Sequence, residues 1–433
     1  MTEHVDPGAA LLVAGIIIFL VAFAAIATDR VPKASVAIAG GSLMIMIGAI
    51  DQHAAFEHID LNVIFLLVGM MVLAGLIRKT GVFQYLAIVA AQRTGGHGVR
   101  LMIVLAIITA VLSAFLDNVT TVILMAPITI FVARQLHINP VPLFIAEILS
   151  SNVGGAMTLI GDPPNILIGS AAGITFAEFA AHMAPPVLIM FPIFLLAIVW
   201  LFRGQLTVQP VHAAALAGLD PAEAITDRRG MWVGVSVLAL TVVVFVFHGV
   251  LGWEPATIAL AGAALAMLLM RADPHEALAE VEWPSLMFFV GLFMMVGGMV
   301  ELGVLDAVAT FTRDLTQGNV AAMAILTIWV SGFASAIVDN IPFTATMLPV
   351  VASLDAAGMN PDNILWWSLA LGADLGGNAT IIGASANVIL AGIADREGYK
   401  IGFGQFMRYG IPVSVGCLAF STIWVWLRYL AFA

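Results

Sequence analysis

Asp117-Asn118 and Asp339-Asn340 each stand at the centre of a long apolar segment, 101–134 and 323–356, while Asp162, Asn165, Asp374, Asn378 and Asn387 interrupt two further apolar runs. Carboxylates and amides in such company can hold a proton or a small cation, or hydrogen-bond a small polar solute. An aspartate at mid-bilayer costs about 2.5–3.5 kcal/mol, so Asp117, Asp162, Asp339 and Asp374 would together cost on the order of 10–14 kcal/mol if nothing compensated them. The run "VGGAMTLIGDPPNILIG", Val153 to Gly169, supplies a means of compensation. Pro163 and Pro164 remove backbone donors and block the helix, and Gly161 lets the chain take unusual angles. A span broken there leaves a positive N-terminus and free carbonyls facing each other across a small cavity near mid-depth. The second run, "GGNATIIGASAN" (376–387), has no proline, so Gly383, Ala384, Ser385 and Ala386 must permit the unwinding. Two blander readings compete: the Asp-Asn pairs as N-caps of a returning helix, and Asp162 as the cap of a kinked one. The candidate solute-binding set is Asn118, Thr120, Asn152, Thr158, Asn165, Asn340, Thr344, Asn378, Thr380, Ser385 and Asn387. The candidate proton-coupling set is Asp117, Asp162, Asp339 and Asp374, because burial disfavours a charged carboxylate.

The elements that hold these residues must lie in a bilayer. The chain has 433 residues, 61% hydrophobic and 10% charged, against roughly 45–50% and about 25% in soluble domains. Uncharged runs at 9–27, 34–50, 61–77, 183–202, 231–247, 255–270, 283–300 and 409–427 are long enough to cross, and no soluble domain is left over. The first run reads as a retained span, since Glu3, His4 and Asp6 precede it where a secretion signal would be basic. One cysteine, Cys417, excludes intrachain disulfides and cysteine metal clusters. A net charge of −11 argues against a nucleic-acid partner. No resident metal or cofactor is expected. Trp366, Trp367, Trp424 and Trp426 read as interfacial belt residues, His182 and His248 as interfacial, and Glu147 as either a buried coupling group or an interfacial one.

The chain repeats itself at an offset of 222 residues: "LDNVTTVILMAP" (116–127) lies over "VDNIPFTATMLP" (338–349), and "GGAMTLIGDPPN" (154–165) over "GGNATIIGASAN" (376–387). The same offset superposes Gly69, Gly75 and Gly81 on Gly291, Gly297 and Gly303. The two copies are chemically unequal, because Asp162 falls on Ala384 and Asn152 on Asp374. The expected division is 1–203, a cytoplasmic linker 204–230, and 231–433, with hairpins near 101–134 and 323–356 and broken helices near 141–174 and 363–396. Five crossings per half, an odd number, place the halves inverted in the membrane. With each 34-residue segment turning back on itself, the 16 lysines and arginines divide 14 to 2 between the two faces, against 10 to 6 if each segment crosses once. The basic face stays cytoplasmic, so both termini are expected outside. Halves of about 16 residues are short for full spans and favour re-entrant hairpins. The fold class is therefore an all-α polytopic membrane protein with about ten spans and two re-entrant hairpins in two inverted repeats.

"SSNVGGAMTLIGDPPNILI" (150–168), "SAIVDNIPFTATMLPV" (335–350) and "LGGNATIIGASANVILAGIA" (375–394) resemble the signature regions of the arsenite-permease and P-protein group of the ion transporter superfamily. NhaD-type sodium/proton antiporters and dicarboxylate symporters are more distant relatives. The resemblance implies an elevator carrier in the cytoplasmic membrane, working against a scaffold that often dimerises. It also opens a soluble arsenic-transporting ATPase subunit as a partner on the cytoplasmic loops. Dicarboxylate relatives carry Ser-Asn-Thr at the tips, where this chain has Asp117-Asn118-Val119 and Asp339-Asn340-Ile341, which argues against di-anionic cargo. The family implies proton-coupled efflux of arsenite or antimonite as the neutral hydroxide. Sodium/proton antiport is the second reading and a P-protein-like anion channel the third. An intramembrane enzyme is not expected, because no Ser-Lys, zinc-histidine or paired-aspartate protease pattern lies at helical spacing within one span.

Overall fold

The computed structural model describes residues 8–28, 30–206, 218 and 220–431, and its regular structure is entirely helical among them. The first half supplies α1 (Ala9–Thr28), α2 (Lys33–Met46), α3 (Gln52–Glu57), α4 (Leu61–Lys79), α5 (Val82–Arg93), α6 (Gly98–Phe115), α7 (Asn118–Leu136), α8 (Val141–Gly155), α9 (Pro163–Ala172) and α10 (Phe176–Phe202). The second half supplies α11 (Arg228–Leu251), α12 (Pro255–Met270), α13 (Pro274–Leu278), α14 (Trp283–Glu301), α15 (Val304–Leu315), α16 (Val320–Val338), α17 (Asn340–Ala356), α18 (Ile364–Gly376), α19 (Ser385–Arg396) and α20 (Phe403–Val425). A shift of 222 residues lays each helix of the first set over the one ten places later.

Local chemistry sets the helix starts. Asp51, Asp60, Thr175, Asp227, Asp273 and Asn319 cap α3, α4, α10, α11, α13 and α16 by accepting backbone N–H bonds. Proline occupies the first turn of α8, α9, α12, α13 and α14, where its missing donor costs nothing. Gly81 and Gly303, at φ 82° and 70°, take the left-handed turn that leads into α5 and α15.

Nine helical segments among the described residues are long and apolar enough to cross a membrane; three of them, α6, α7 and α16, are hairpin arms. The ten expected crossings correspond to α1, α2, α4, α8 with α9, α10, and their counterparts α11, α12, α14, α18 with α19, and α20. The hairpin arms run 18, 19, 19 and 17 residues, longer than the expected 16, because α6 and α16 each begin three residues before the segment read from sequence and α7 ends two residues after it.

Two packing bodies emerge. In one, α2 lies against α14 and α12 against α4, so each half contributes one helix to each pair. Both contacts depend on a missing side chain. A Cβ on Gly69 would lie 2.5 Å from the Ala259 carbonyl carbon, and one on Gly291 would lie 2.3 Å from that of Ala37. These four positions exchange under the 222-residue shift. In the other body, α6 packs on α8 and α16 on α18, at crossings closed by Gly154 against Ala110 and Gly376 against Gly332. The hairpins then cross over, α7 reaching α19 of the other half and α17 reaching α9.

Two expectations change. Trp366 and Trp367 are not belt residues: each is 1% exposed, because α18 is enclosed on every side. Trp367 meets Phe179 and His182. His248 is buried and accepts a hydrogen bond from the Phe176 N–H through Nε2. Of the 204–230 linker, residues 207–217 and 219 lie outside the described residues, as do Glu3, His4 and Asp6. The described remainder docks on the α4–α5 junction, where Thr226 donates from its backbone N–H to the Thr80 carbonyl at 3.0 Å and from its hydroxyl to that of Lys79 at 2.7 Å.

Candidate functional site

Two breaks and two hairpin tips converge on one buried chamber. The first break runs from the end of α8 at Gly155 to the start of α9 at Pro163, and the second from the end of α18 at Gly376 to the start of α19 at Ser385. Neither Gly161 nor Gly383 has positive φ. Conformational freedom is therefore not their role, contrary to the sequence expectation. They permit close approach: a Cβ on Gly161 would lie 2.4 Å from the Gly155 carbonyl oxygen, and one on Gly383 would lie 2.6 Å from that of Gly377. Pro163 and Pro164 open α9 at its first turn, as a chain restarting a helix requires.

Each break is stapled by its own asparagine. The Asn165 amide donates to the Gly155 and Thr158 carbonyls, both at 3.1 Å, and Asn387 donates to those of Gly377 and Thr380, both at 2.8 Å. Thr158 and Thr380 tie the breaks to the outgoing hairpin arms by donating to the Ala114 and Ala336 carbonyls. These four residues therefore hold the unwound backbone, which a buried chain must do for carbonyls without helical partners. Asn387→Ala should lower stability by about 2–3 kcal/mol through two deprived carbonyls. Thermal unfolding of the purified protein checks this, and a melting temperature equal to that of the parent would contradict it.

Both tips use aspartate as an N-cap, so capping and chamber-lining coincide. Asp117 accepts from the Thr120 N–H at 2.8 Å and from the Thr120 hydroxyl. Asp339 accepts from the Ile341 N–H at 3.2 Å, from the Ser385 hydroxyl at 2.9 Å and from the Lys33 ammonium at 2.8 Å. The asparagines that follow reach inward. Asp162 accepts from Asn118 at 2.7 Å and from Asn340 at 3.2 Å, one donor from each tip. It makes no side-chain cap bond to α9, so the kinked-helix reading of this residue fails. Asn118 also donates to Asn152 at 3.2 Å, and Asn152 donates to Asn378 and Asn387, both at 2.9 Å. The network joins both halves.

Acceptors are in surplus. Both Asp374 oxygens, Asn118 Oδ1, Asn165 Oδ1 and Thr344 Oγ1 are buried without a hydrogen-bond partner. Asp374 lies by the Asn165 amide and within charge range of Asp162. Asp162, Asp374, Asn152, Asn165, Asn378 and Asn387 are all fully buried. The first turns of α7, α9, α17 and α19 all open onto this chamber and bring the positive ends of their dipoles to it.

A cavity of ≈ 220 Å³ leads from the chamber to one face, lined by Lys33, Asp117, Pro163, Ser385, Glu282 and Ser285 with Leu67, Met71, Phe288 and Phe289. Glu282 sits just before α14. Burial pushes its carboxyl above the usual range and the Asp117 charge adds to this, while the Ser285 hydroxyl partly offsets both. A carboxyl raised in the folded state binds more protons folded than unfolded, so its contribution to stability falls as pH climbs above the ordinary glutamate range. Glu282→Gln should remove that slope and leave the protein more stable than the parent at neutral pH, with the difference vanishing in acid. Melting temperatures measured across pH 4 to 8 decide it; a parallel pair of profiles would contradict it.

Sequence reasoning missed Lys33, which it treated as one basic loop residue among many, and Glu282. The only signal for Lys33 was negative, since its counterpart in the second half is Pro255. Glu147 proves buried, not interfacial, and accepts from the Thr129 hydroxyl between α8 and α7.

A profile of the citrate transporter family, CitMHS, matches residues 23–372. An uncharacterized transporter of Mycobacterium tuberculosis is 46% identical over 423 residues, 96% of this chain and 98% of that protein. The human P protein is 35% identical over 445 residues, which cover 83% of this chain and 52% of the P protein, so the chain spans about half of that relative. Among solved structures, the YdaH transporter of Alcanivorax borkumensis shares the fold at a TM-score of 0.57 and 14% identity, covering 90% of this chain and 88% of that one. The matched profile and the near full-length transporter relative, together with the apolar helices and their buried polar centre, establish a multi-pass membrane transporter, and the chain belongs to the CitMHS citrate transporter family.

Proposed function

We propose that the chain is a secondary transporter whose coupling cation binds between Asp162 and Asp374 and whose cargo is a small neutral hydroxylated solute, trivalent arsenic or antimony hydroxide, moved outward as protons enter. One observation carries the coupling: two fully buried carboxylates lie within charge range of each other, with no basic side chain bonded to either among the described residues, in a chamber with four unpartnered carboxylate and amide oxygens. Two such charges in a dry interior require a proton or a metal cation between them.

The cargo follows from the polarity of the surroundings. Along the cavity Lys33 is the one basic residue among the described ones, against Asp117 and Glu282. A free citrate anion, the cargo in the family's name, would meet more negative charge than positive, whereas an uncharged hydroxide suits amide and hydroxyl partners. Cys417, the one cysteine, is buried in α20 and cannot supply the set of thiolates that trivalent arsenic prefers, so a metalloid would be held mainly by oxygen ligands. The same hard-oxygen surroundings favour sodium/proton antiport as the second reading.

The basic residues argue that the cavity faces the cytoplasm and both termini lie outside. The hairpins and broken helices form the moving body of an elevator, and α2, α4, α12 and α14 form its scaffold. Everted vesicles test the function. Arsenite accumulation driven by an imposed proton gradient, without sodium and abolished by a protonophore, is expected. Sodium-driven pH recovery without arsenite movement would favour the antiporter, and current with no gradient imposed would contradict coupling altogether.

A further inference from the structure

Lys33 opens α2, in the scaffold pair with α14, yet its ammonium binds Asp339 at the tip of the second hairpin, 2.8 Å away and with the carboxylate 2% exposed. The contact crosses from one packing body to the other. It has no counterpart at the first tip, where Asp117 turns onto Thr120 and the position related to Lys33 is Pro255. Asp339 itself is held at φ 110°, a conformation that costs a non-glycine residue about 1–3 kcal/mol unless its surroundings impose it. Lys33 and Ser385 pull on its Oδ2, and the Asn340 N–H bonds the Gly383 carbonyl at 3.1 Å. Among the described residues, the charged groups around Asp339 include Lys33 from α2, Asp162 at the head of α9 and, across the cavity, Asp117 and Glu282.

We propose that Lys33 is a built-in competitor for the coupling cation: when the Asp162–Asp374 site is empty its ammonium, bound to Asp339 beside the chamber, tethers the second hairpin tip to the scaffold, and a proton or sodium ion bound between Asp162 and Asp374 displaces it. This inference rests on the coupling reading above. The exchange conserves charge in the chamber, since one monovalent cation replaces another. The released ammonium remains in a cavity that two further carboxylates line, so it is not stranded without a counter-charge. The consequence is a lock. The empty carrier is pinned at its second tip, and only a loaded one is released to move against the scaffold. That prevents the cation gradient from being dissipated by unloaded or half-loaded movement.

Lys33, Lys79 and Lys400 are the lysines of this chain, so labelling reads Lys33 against two internal references. Purified protein is reductively methylated in sodium chloride and in choline chloride of equal ionic strength, and in acid and alkaline buffer, with site occupancy read by mass spectrometry. Labelling of Lys33 relative to Lys400 should rise several-fold when the cation saturates, while Lys79, held by Glu276 and Glu280, stays level. In parallel, half-saturation by sodium or protons is read from thermal shifts. Lys33→Met should tighten it at least about tenfold, the weight of one charged hydrogen bond, and Lys33→Arg should stay near the parent. Cation-insensitive labelling of Lys33 in a parent that does bind sodium or protons, or a Lys33→Met variant that binds no tighter, overturns the competition and leaves the coupling reading intact. A parent whose stability ignores both cations overturns that reading and the competition with it.

Discussion

Asp374→Asn should give a folded transporter, no less stable than the parent, that has lost its coupling. The side chain sits inside α18 with both oxygens buried and unpartnered, within charge range of Asp162. Asparagine keeps the shape and removes a charge whose burial is costly, so stability should hold or rise. Cation affinity should collapse. A carboxylate about 4 Å from a monovalent cation contributes about 4 kcal/mol at the effective dielectric typical of proteins, which is several hundredfold in binding. Gradient-driven uptake into proteoliposomes, set beside thermal unfolding, separates the two effects. A variant that transports at the parental rate, or one that fails to fold, would contradict this assignment.

Gly291→Leu should prevent assembly of the scaffold. The nearest atoms to an added Cβ would be the Ala37 carbonyl carbon and the Ile38 nitrogen, both at 2.3 Å, and backbone cannot yield as a flexible side chain does. Overpacking by a methylene typically costs 1–3 kcal/mol, and a branched side chain driven into a neighbouring helix costs more than about 3 kcal/mol. Gly416→Leu is the control, because it points into open space on the lipid-facing side of α20. The yield of monodisperse protein after detergent extraction should fall at least about tenfold for Gly291→Leu and stay near parental for Gly416→Leu. Equal yields would show that α2 and α14 do not cross where the glycine lies.

What the sequence disclosed and what it hid divide along symmetry. Asp117 and Asp339, Asn165 and Asn387, and Thr158 and Thr380 recur at one offset, and the structure uses each pair alike, as caps, staples and ties. Repetition marked these residues before their partners were visible. The partners themselves were hidden, because Asp162 takes one amide from its own half and one from the other, and no spacing rule reports a contact between residues 162 and 340. Lys33 was hidden for the opposite reason: it breaks the symmetry and reaches Asp339 across most of the chain. The tryptophans misled because the belt rule assumes that a span meets lipid, whereas α18 is sheathed by other helices. Asn165 and Asn387 read as ligands for a solute, and their donors prove to be committed to carbonyls, leaving only Asn165 Oδ1 to face the chamber. The tip carboxylates, too, do double duty as caps, which periodicity alone separates from function no better than the bland reading does.

The central claim is that the two breaks and two tips build one dry acidic chamber that binds the coupling cation. Cation-dependent thermal stabilisation of the purified parent, set beside that of Asp162→Asn combined with Asp374→Asn, tests it most directly, because a ligand that binds only the folded state raises its stability in proportion to the logarithm of its concentration. The parent should gain stability as sodium replaces choline or as pH falls, and the double variant should start at least as stable, gain nothing from sodium and keep only the pH response that Glu282 supplies. A double variant that responds as the parent does would place the cation elsewhere and contradict the account.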